Sequence, residues 1–120
     1  NITAVYTSDQ TRKIIKNLNK KAKSIISIFS GRMADVGKDP VPILKKCVEL
    51  SKKKNKVEVL WASTREPYNL TQARQLGCDI ITMPPNIIYK VSNFGKSYKS
   101  LTVDTVKKFL SDSKKSKFKL

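Results

Sequence analysis

Short apolar runs alternate four times along the chain with stretches whose apolar residues recur at helical spacing. The runs are five or six residues long, and the second, SIISIF, is nearly apolar on both faces, like a strand inside a parallel sheet. We therefore predict strands at residues 2–6, 24–29, 57–62 and 79–83. Strands that alternate regularly with helices indicate βαβ crossovers, a parallel sheet and an α/β fold.

Local signals mark where the helices begin and end. Thr7 and Gln10 have the spacing of a capping box, and Ile14, Ile15 and Leu18 follow as a helical stripe. The remaining signals are a loop at Gly31 and Gly37, helix starts at Pro40 and Pro42, at Pro84–Pro85 and at Thr102, and a helix stop at Gly77.

Two architectures accommodate four such units: an open doubly wound sheet and part of a closed barrel. With 120 residues, 39% of them hydrophobic, the chain is long enough for one folded domain with a single core. The nucleotide-binding form of the open sheet requires G-x-G-x-x-G or G-x-x-x-x-G-K-[ST], and neither motif occurs. The strand pattern itself is compatible with both architectures.

The net charge of +16 comes from three lysine-rich stretches, residues 12–23, 45–56 and 107–119. Such a charge could serve a nucleic-acid surface, because lysines neutralise phosphates. However, the apolar residues keep helical spacing there, no aromatic residues interleave for base stacking, and lysine far outnumbers arginine. We therefore expect solvated helix faces that attract polyanions non-specifically, and no specific nucleic-acid partner.

Cysteine and histidine usage excludes several kinds of site. Cys47 and Cys78 lie far apart and the chain has no histidine, which argues against a zinc site and a catalytic triad. We expect two buried, reduced thiols in a cytoplasmic protein that needs no metal or other cofactor. No apolar run approaches the roughly 20 residues that span a bilayer, and no leader is visible, so we expect no membrane partner.

Candidate chemistry gathers at the predicted carboxyl ends of two strands. The second strand is followed by Ser30 and Arg32, and the third by Ser63 and Arg65. In parallel α/β folds functional residues gather at this end, and arginines beside helix N-termini can bind a phosphate dianion. The alternative is that these arginines form ion pairs with nearby carboxylates. The carboxylates available for such pairs are Asp35, Asp39 and Glu66. In the same way, Phe29 and Trp61 could simply be core residues without a role in a site.

Four segments resemble one known family, in its order and at its approximate spacing. They are TAVY at residues 3–6, SIFSGRMAD at 27–35, VLWASTR at 59–65 and GCDIITMP at 77–84. Each motif alone is only moderately specific, but together they cover nearly the whole chain. The sequence resembles the transaldolase and fructose-6-phosphate aldolase family of Schiff-base class I aldolases.

The resemblance implies that the four strands are strands five to eight of a (β/α)8 TIM barrel. It gives Thr3, Ser27 and Phe29 catalytic-site roles: Thr3 helps to hold the catalytic water, and the other two line the pocket near the reacting carbons. Phe29 is of the transaldolase type, since fructose-6-phosphate aldolases carry tyrosine there. The resemblance also implies that the substrate is a sugar phosphate, gripped by Arg32, Ser63 and Arg65.

The resemblance does not extend to the family's first four strands. The family's Schiff-base lysine lies on strand four and its acidic residues on strands one to three, and no segment here resembles those strands. A full barrel takes about 250 residues, so we expect half of one, over residues 1–112, followed by a basic tail at 113–120. We expect this chain alone to be inactive, because no iminium forms without the lysine. The alternatives are a sugar-phosphate-binding module without turnover and a basic nucleic-acid-associated protein.

A half barrel would expose unpaired edge strands and apolar side chains. Two copies could pair edge to edge, or exchange elements, and so complete the barrel by oligomerisation. We therefore expect a homo-oligomer, most simply a dimer.

Overall fold

A computed structural model describes residues 1–54 and 56–116. The chain divides into two compact units, one from Asn1 to Lys90 and a second that begins at Val91. The strands of the first unit are β1 (Ile2–Val5), β2 (Ser24–Ile28), β3 (Val57–Trp61) and β4 (Ile80–Ile81). The helices of the chain are α1 (Ser8–Asn17), α2 (Ser30–Asp35), α3 (Val41–Lys52), α4 (Asn69–Leu76), α5 (Pro85–Val91) and α6 (Tyr98–Lys115).

The four strands form one parallel sheet in the order β1-β2-β3-β4, so each strand pairs with its successor in the sequence. Residues paired in register share a face, and Ile26, Ile28, Val59 and Trp61 are all fully buried in one core. The same core contains residues of the helices: Met33 of α2, Leu44, Cys47 and Val48 of α3, and Ala73 of α4, with Ile14 and Ile15 of α1 packed against it.

This arrangement separates the two architectures that the strand pattern allows. In a doubly wound sheet the strand order reverses and helices cover both faces. Here the order never reverses, and α1, α3 and α4 contribute to one core on one face of the sheet. Right-handed crossovers between successive neighbouring strands produce this result, because each helix returns on the same side. The fold is α/β and consistent with a partial TIM barrel.

The local helix signals are largely confirmed. Thr7 and Gln10 form the predicted capping box, with the Gln10 N–H donating to Thr7 Oγ1 at 3.1 Å. Pro40 and Pro42 stand at the start of α3, Pro85 opens α5, and Gly77 ends α4 in the left-handed region with φ 74°. These signals act within a few residues, which explains why sequence alone locates them.

Three predictions of local structure are wrong, and the first three strands each end one residue earlier than predicted. Gly31 lies inside the short helix α2 and not in a loop, because the helix packs tightly against the end of β3. The fourth strand has two residues instead of five, because side chains replace backbone partners at both ends. The Asp79 carboxylate accepts from the Val59 N–H, and the Thr82 carbonyl accepts from the Thr64 hydroxyl. The last helix begins at Tyr98, because Ser97 caps it, and Thr102 bonds within the helix to the Tyr98 carbonyl.

The second unit contains α6, whose apolar side chains are exposed at Leu101, Val103, Val106, Phe109 and Leu110. The helix continues to Lys115, so residues 113–115 of the predicted basic tail are helical. Residues 117–120 of that tail lie outside the described residues.

Both cysteines are free and are built into the first unit. Cys47 is fully buried and its Sγ accepts a hydrogen bond from Thr11 Oγ1 at 3.2 Å, which joins α3 to α1. Burial raises the pKa of the Cys47 thiol. Burial, with smaller contributions from Asp79 and Cys47, raises the pKa of the half-buried Cys78 thiol to about 11. Both thiols are therefore protonated near neutral pH and poor nucleophiles.

Candidate functional site

Two of the family-implied residues, Thr3 and Ser27, lie on neighbouring strands beside a bulge in β1. Ile2 pairs with Ile26 and Val5 pairs with Ile28, so Thr3 and Ala4 together lie opposite Ser27. Ala4 adopts a positive φ of 59°, a conformation rarely used by residues other than glycine. Bulges are frequent beside functional sites because they redirect a side chain. The pairing of Ile2 with Ile26 places Thr3, which is exposed, alongside Ser27, and the extra residue of the bulge makes Val5 the partner of Ile28.

Ser27 lies on the face of the sheet opposite the shared core. The Ser27 side chain is buried and its Oγ donates to the Asn1 side-chain oxygen at 2.8 Å. Sequence reasoning missed Asn1. Alternation along β1 was the signal that could have found it, since Asn1 and Thr3 both flank the core-facing Ile2.

Phe29 follows β2 directly and is half-buried. The Tyr6 ring packs edge-on against it, with ring centroids 5.8 Å apart and planes at 75°. The Arg32 guanidinium carbon lies 5.3 Å from the Phe29 ring centroid, a cation–π contact. Phe29 is therefore not part of the shared core, contrary to the expectation of a core position, and it supports the side chain of Arg32 instead.

Gly31 brings α2 against the end of β3. The Gly31 N–H donates to the Ala62 carbonyl at 3.3 Å, and a Cβ at position 31 would lie 1.5 Å from the Ser63 carbonyl oxygen. Ser63 itself has a positive φ of 62°. This close approach joins the segment that carries Arg32 to the segment that carries Ser63 and Arg65.

Two buried polar residues, both missed by sequence reasoning, hold the loop after β3. Asn69 Oδ1 accepts hydrogen bonds from the Arg65 N–H at 3.0 Å and the Glu66 N–H at 3.2 Å. Thr64 Oγ1 donates to the Thr82 carbonyl at 2.6 Å. An asparagine at a helix start that accepts from preceding N–H groups is a weak sequence signal, because many asparagines in loops do the same.

Arg65 forms an ion pair with Asp35, so the predicted alternative of carboxylate pairing is realised for this arginine. Arg65 Nε donates to Asp35 Oδ1 at 3.0 Å, and Nη2 donates to Oδ2 at 2.6 Å. Hydrogen bonding from Arg65 is the main reason that the pKa of Asp35 lies below its usual range, and the charges of Arg65 and Arg32 lower it further. Both arginines therefore lie within electrostatic range of one carboxylate.

The two arginines border different cavities. Arg65 and Asp35 border one of about 390 Å³ that also reaches Trp61 and Asn69. Arg32 borders another of about 490 Å³, beside Tyr6. The structure places Arg32, Ser63 and Arg65 at adjoining strand ends, with Asp35 near both guanidinium groups, but it does not bring the two arginines to one cavity.

Trp61 belongs to the core, which confirms the prediction of a purely structural position. Its side chain is fully buried on the helix-covered face, and its Nε1 has no hydrogen-bond partner among the described residues. No group of three metal-ligating side chains occurs within residues 1–54 and 56–116. Across the same residues, no helix has the length and apolar character needed to cross a membrane.

The fold is that of a parallel α/β protein whose strands follow one another across the sheet, and the comparisons give its family. The family model "Transaldolase/Fructose-6-phosphate aldolase" matches residues 1–120, and the chain belongs to this family. It is 30% identical over 117 residues to a probable transaldolase of Myxococcus xanthus, covering 96% of the chain and 48% of that protein.

Two further proteins are similarly related. A probable transaldolase of Nitrosopumilus maritimus is 30% identical over 93 residues, covering 76% of the chain and 40% of that protein. A probable transaldolase of Methanococcus vannielii is 28% identical over 113 residues, covering 93% of the chain and 48% of that protein. The chain therefore spans about half the length of the curated relatives it matches.

Proposed function

We propose that this chain forms strands five to eight of a transaldolase-like (β/α)8 barrel that transfers a dihydroxyacetone unit between sugar phosphates. Membership of the family and the unbroken strand order β1-β2-β3-β4 support this assignment. The open edges at β1 and β4 would pair with the other strands of a barrel, or with a second copy of the chain in a homodimer.

Arg32, Ser63 and Arg65 form the proposed sugar-phosphate grip. The observation that carries this proposal is the contact between Gly31 and Ser63, which holds the two arginine-bearing segments against each other at the carboxyl ends of β2 and β3. Guanidinium groups and a hydroxyl at this edge offer the charge-assisted hydrogen bonds that a phosphate dianion accepts.

Thr3, Ser27 and Phe29 would form the adjoining pocket for the reacting carbons. The strand pairing that sets Thr3 beside Ser27 and the hydrogen bond from Ser27 to Asn1 support this part of the proposal, because they fix polar groups on the face opposite the shared core. Their role would be to hold substrate hydroxyls and a water molecule, and no covalent step is assigned to them.

The double substitution Arg32→Ala and Arg65→Ala tests the phosphate grip. We expect fructose 6-phosphate and inorganic phosphate to bind at least about tenfold more weakly to the variant, since two charge-assisted contacts are lost. Calorimetry measures both affinities. The matched control is Arg12→Ala with Arg74→Ala, which removes the same charge from exposed positions on α1 and α4. Equal weakening in both variants would mean that only net charge matters.

The proposal also predicts that the 120-residue chain alone forms no covalent adduct with fructose 6-phosphate. No lysine is assigned as the nucleophile, and the Schiff base that borohydride reduces requires one. Mass spectrometry after borohydride treatment measures the adduct. A substrate-dependent mass increase on one lysine would contradict the expected inactivity. Co-expression with the half of a relative that this chain does not match would serve as the positive control.

A further inference from the structure

Asp35 occupies only one of the two edges that the Arg65 guanidinium offers. The carboxylate accepts from Nε and from one hydrogen of Nη2. An arginine has five N–H donors in a fixed plane, so the second edge, formed by Nη1 and the remaining Nη2 hydrogen, stays available for another bidentate partner. The Arg65 side chain is 48% exposed, which leaves room for that partner.

The backbones on both sides of the ion pair are fixed. Asp35 ends α2, whose position is set by the contact of Gly31 with Ser63. The backbone N–H of Arg65 donates to the buried Asn69 side chain. Because both partners start from constrained backbone, their ion pair restrains the direction of a long side chain that would otherwise sample many rotamers.

We propose that Asp35 is a positioning residue for the phosphate grip: it holds one edge of the Arg65 guanidinium so that the other edge faces a bound phosphate. This inference rests on the proposed function and adds a residue to it. Asp35 also lies within electrostatic range of Arg32, so it reduces the repulsion between the two arginines when no anion is bound. The low pKa of Asp35 keeps the carboxylate ionised well into mild acid.

If Asp35 acted only through its charge, its removal would change phosphate affinity in the opposite direction. Removing a carboxylate near a bound dianion would strengthen phosphate binding, because like charges repel. Loss of orientation would weaken it, but only while Arg65 is present to be oriented. The two effects can therefore be separated by changing Asp35 in the presence and in the absence of Arg65.

The experiment is a double-mutant cycle of Asp35→Asn and Arg65→Ala, with inorganic phosphate titrated by nuclear magnetic resonance. We expect Asp35→Asn to weaken binding about twofold to fivefold when Arg65 is present, in line with an exposed ion pair. We expect no weakening in the Arg65→Ala background. The Arg65 Nε–H signal should also exchange faster with water in Asp35→Asn, and Asp35→Glu should restore part of the affinity.

The control is Asp39→Asn, which removes the same charge nearby and keeps an acceptor for the Val41 N–H. It should not weaken binding. Stronger binding by Asp35→Asn, or equal weakening with and without Arg65, would overturn the positioning role. If wild type binds, Arg65→Ala binds less and Asp35→Asn equals wild type, only this inference fails. If wild type shows no phosphate response, the proposed site fails with it.

Discussion

Replacing Gly31 with alanine should lower the free energy of unfolding by about 3 kcal/mol, at the upper end of what overpacking costs. The added Cβ would lie 1.5 Å from the Ser63 carbonyl oxygen and 2.6 Å from the Ser63 carbonyl carbon. These are backbone atoms, so no side-chain rotation relieves the overlap. Either α2 moves away from β3 or the loop that carries Ser63 shifts.

Urea unfolding followed by the fluorescence of Trp61, the single tryptophan, measures the effect. The control is Gly37→Ala. Gly37 has a positive φ of 74°, and a Cβ added there would meet no atom within 4 Å beyond its neighbours in the chain. Only the left-handed backbone opposes a side chain there, at about 1 kcal/mol. Equal losses for the two variants would show that the approach of Gly31 to Ser63 contributes nothing. A folded Gly31→Ala protein should also bind phosphate more weakly, because Arg32 and Arg65 would separate.

Features that depend on a few neighbouring residues could be predicted from the sequence. The capping box at Thr7 and Gln10 and the left-handed stop at Gly77 are complete within one helical turn. The strands are located because their apolar runs are short and buried, and the predicted parallel sheet follows from their alternation with helices. The choice between a barrel-like and a doubly wound sheet needed the strand order, which no local pattern contains.

The geometry of the candidate site could be predicted only in part. The strand-end positions of Arg32, Ser63 and Arg65 follow from the end of each apolar run. The partner of Arg65 does not, because Asp35 lies 30 residues away and Asp39 and Glu66 were equally available. The bulge at Thr3 and Ala4 was also invisible, since one extra residue in a short strand changes the register without changing the hydrophobic pattern.

Gly31 stands out in the sequence, but its predicted role is wrong. A glycine after a strand usually indicates a loop, because its backbone is flexible. Here the missing Cβ matters more than the flexibility, since it lets one backbone approach another. The contact involves residues 31 and 63, so only the packed structure distinguishes the two explanations.

Trp61→Ala should lower the free energy of unfolding by about 4 kcal/mol, within the range for truncating a buried aromatic residue. The Trp61 side chain is fully buried and belongs to the core that joins the sheet to α3 and α4. Its removal leaves a cavity between rigid elements that cannot collapse fully. Circular dichroism follows this unfolding, because the variant has no tryptophan. Tyr68→Ala, at a side chain 55% exposed, should cost less than about 1 kcal/mol.

Trp61→Phe separates packing from hydrogen bonding at the same position. Because Trp61 Nε1 has no partner among the described residues, phenylalanine breaks no hydrogen bond to them and leaves a smaller cavity than alanine does. We expect a loss of about 1–2 kcal/mol. Because Trp61 borders the same cavity as Arg65 and Asp35, phosphate affinity is measured on the same variant. A loss equal to that of Trp61→Ala would indicate an essential indole N–H contact. A loss of phosphate binding in a stable Trp61→Phe protein would show that the packing of Trp61 affects the proposed phosphate site.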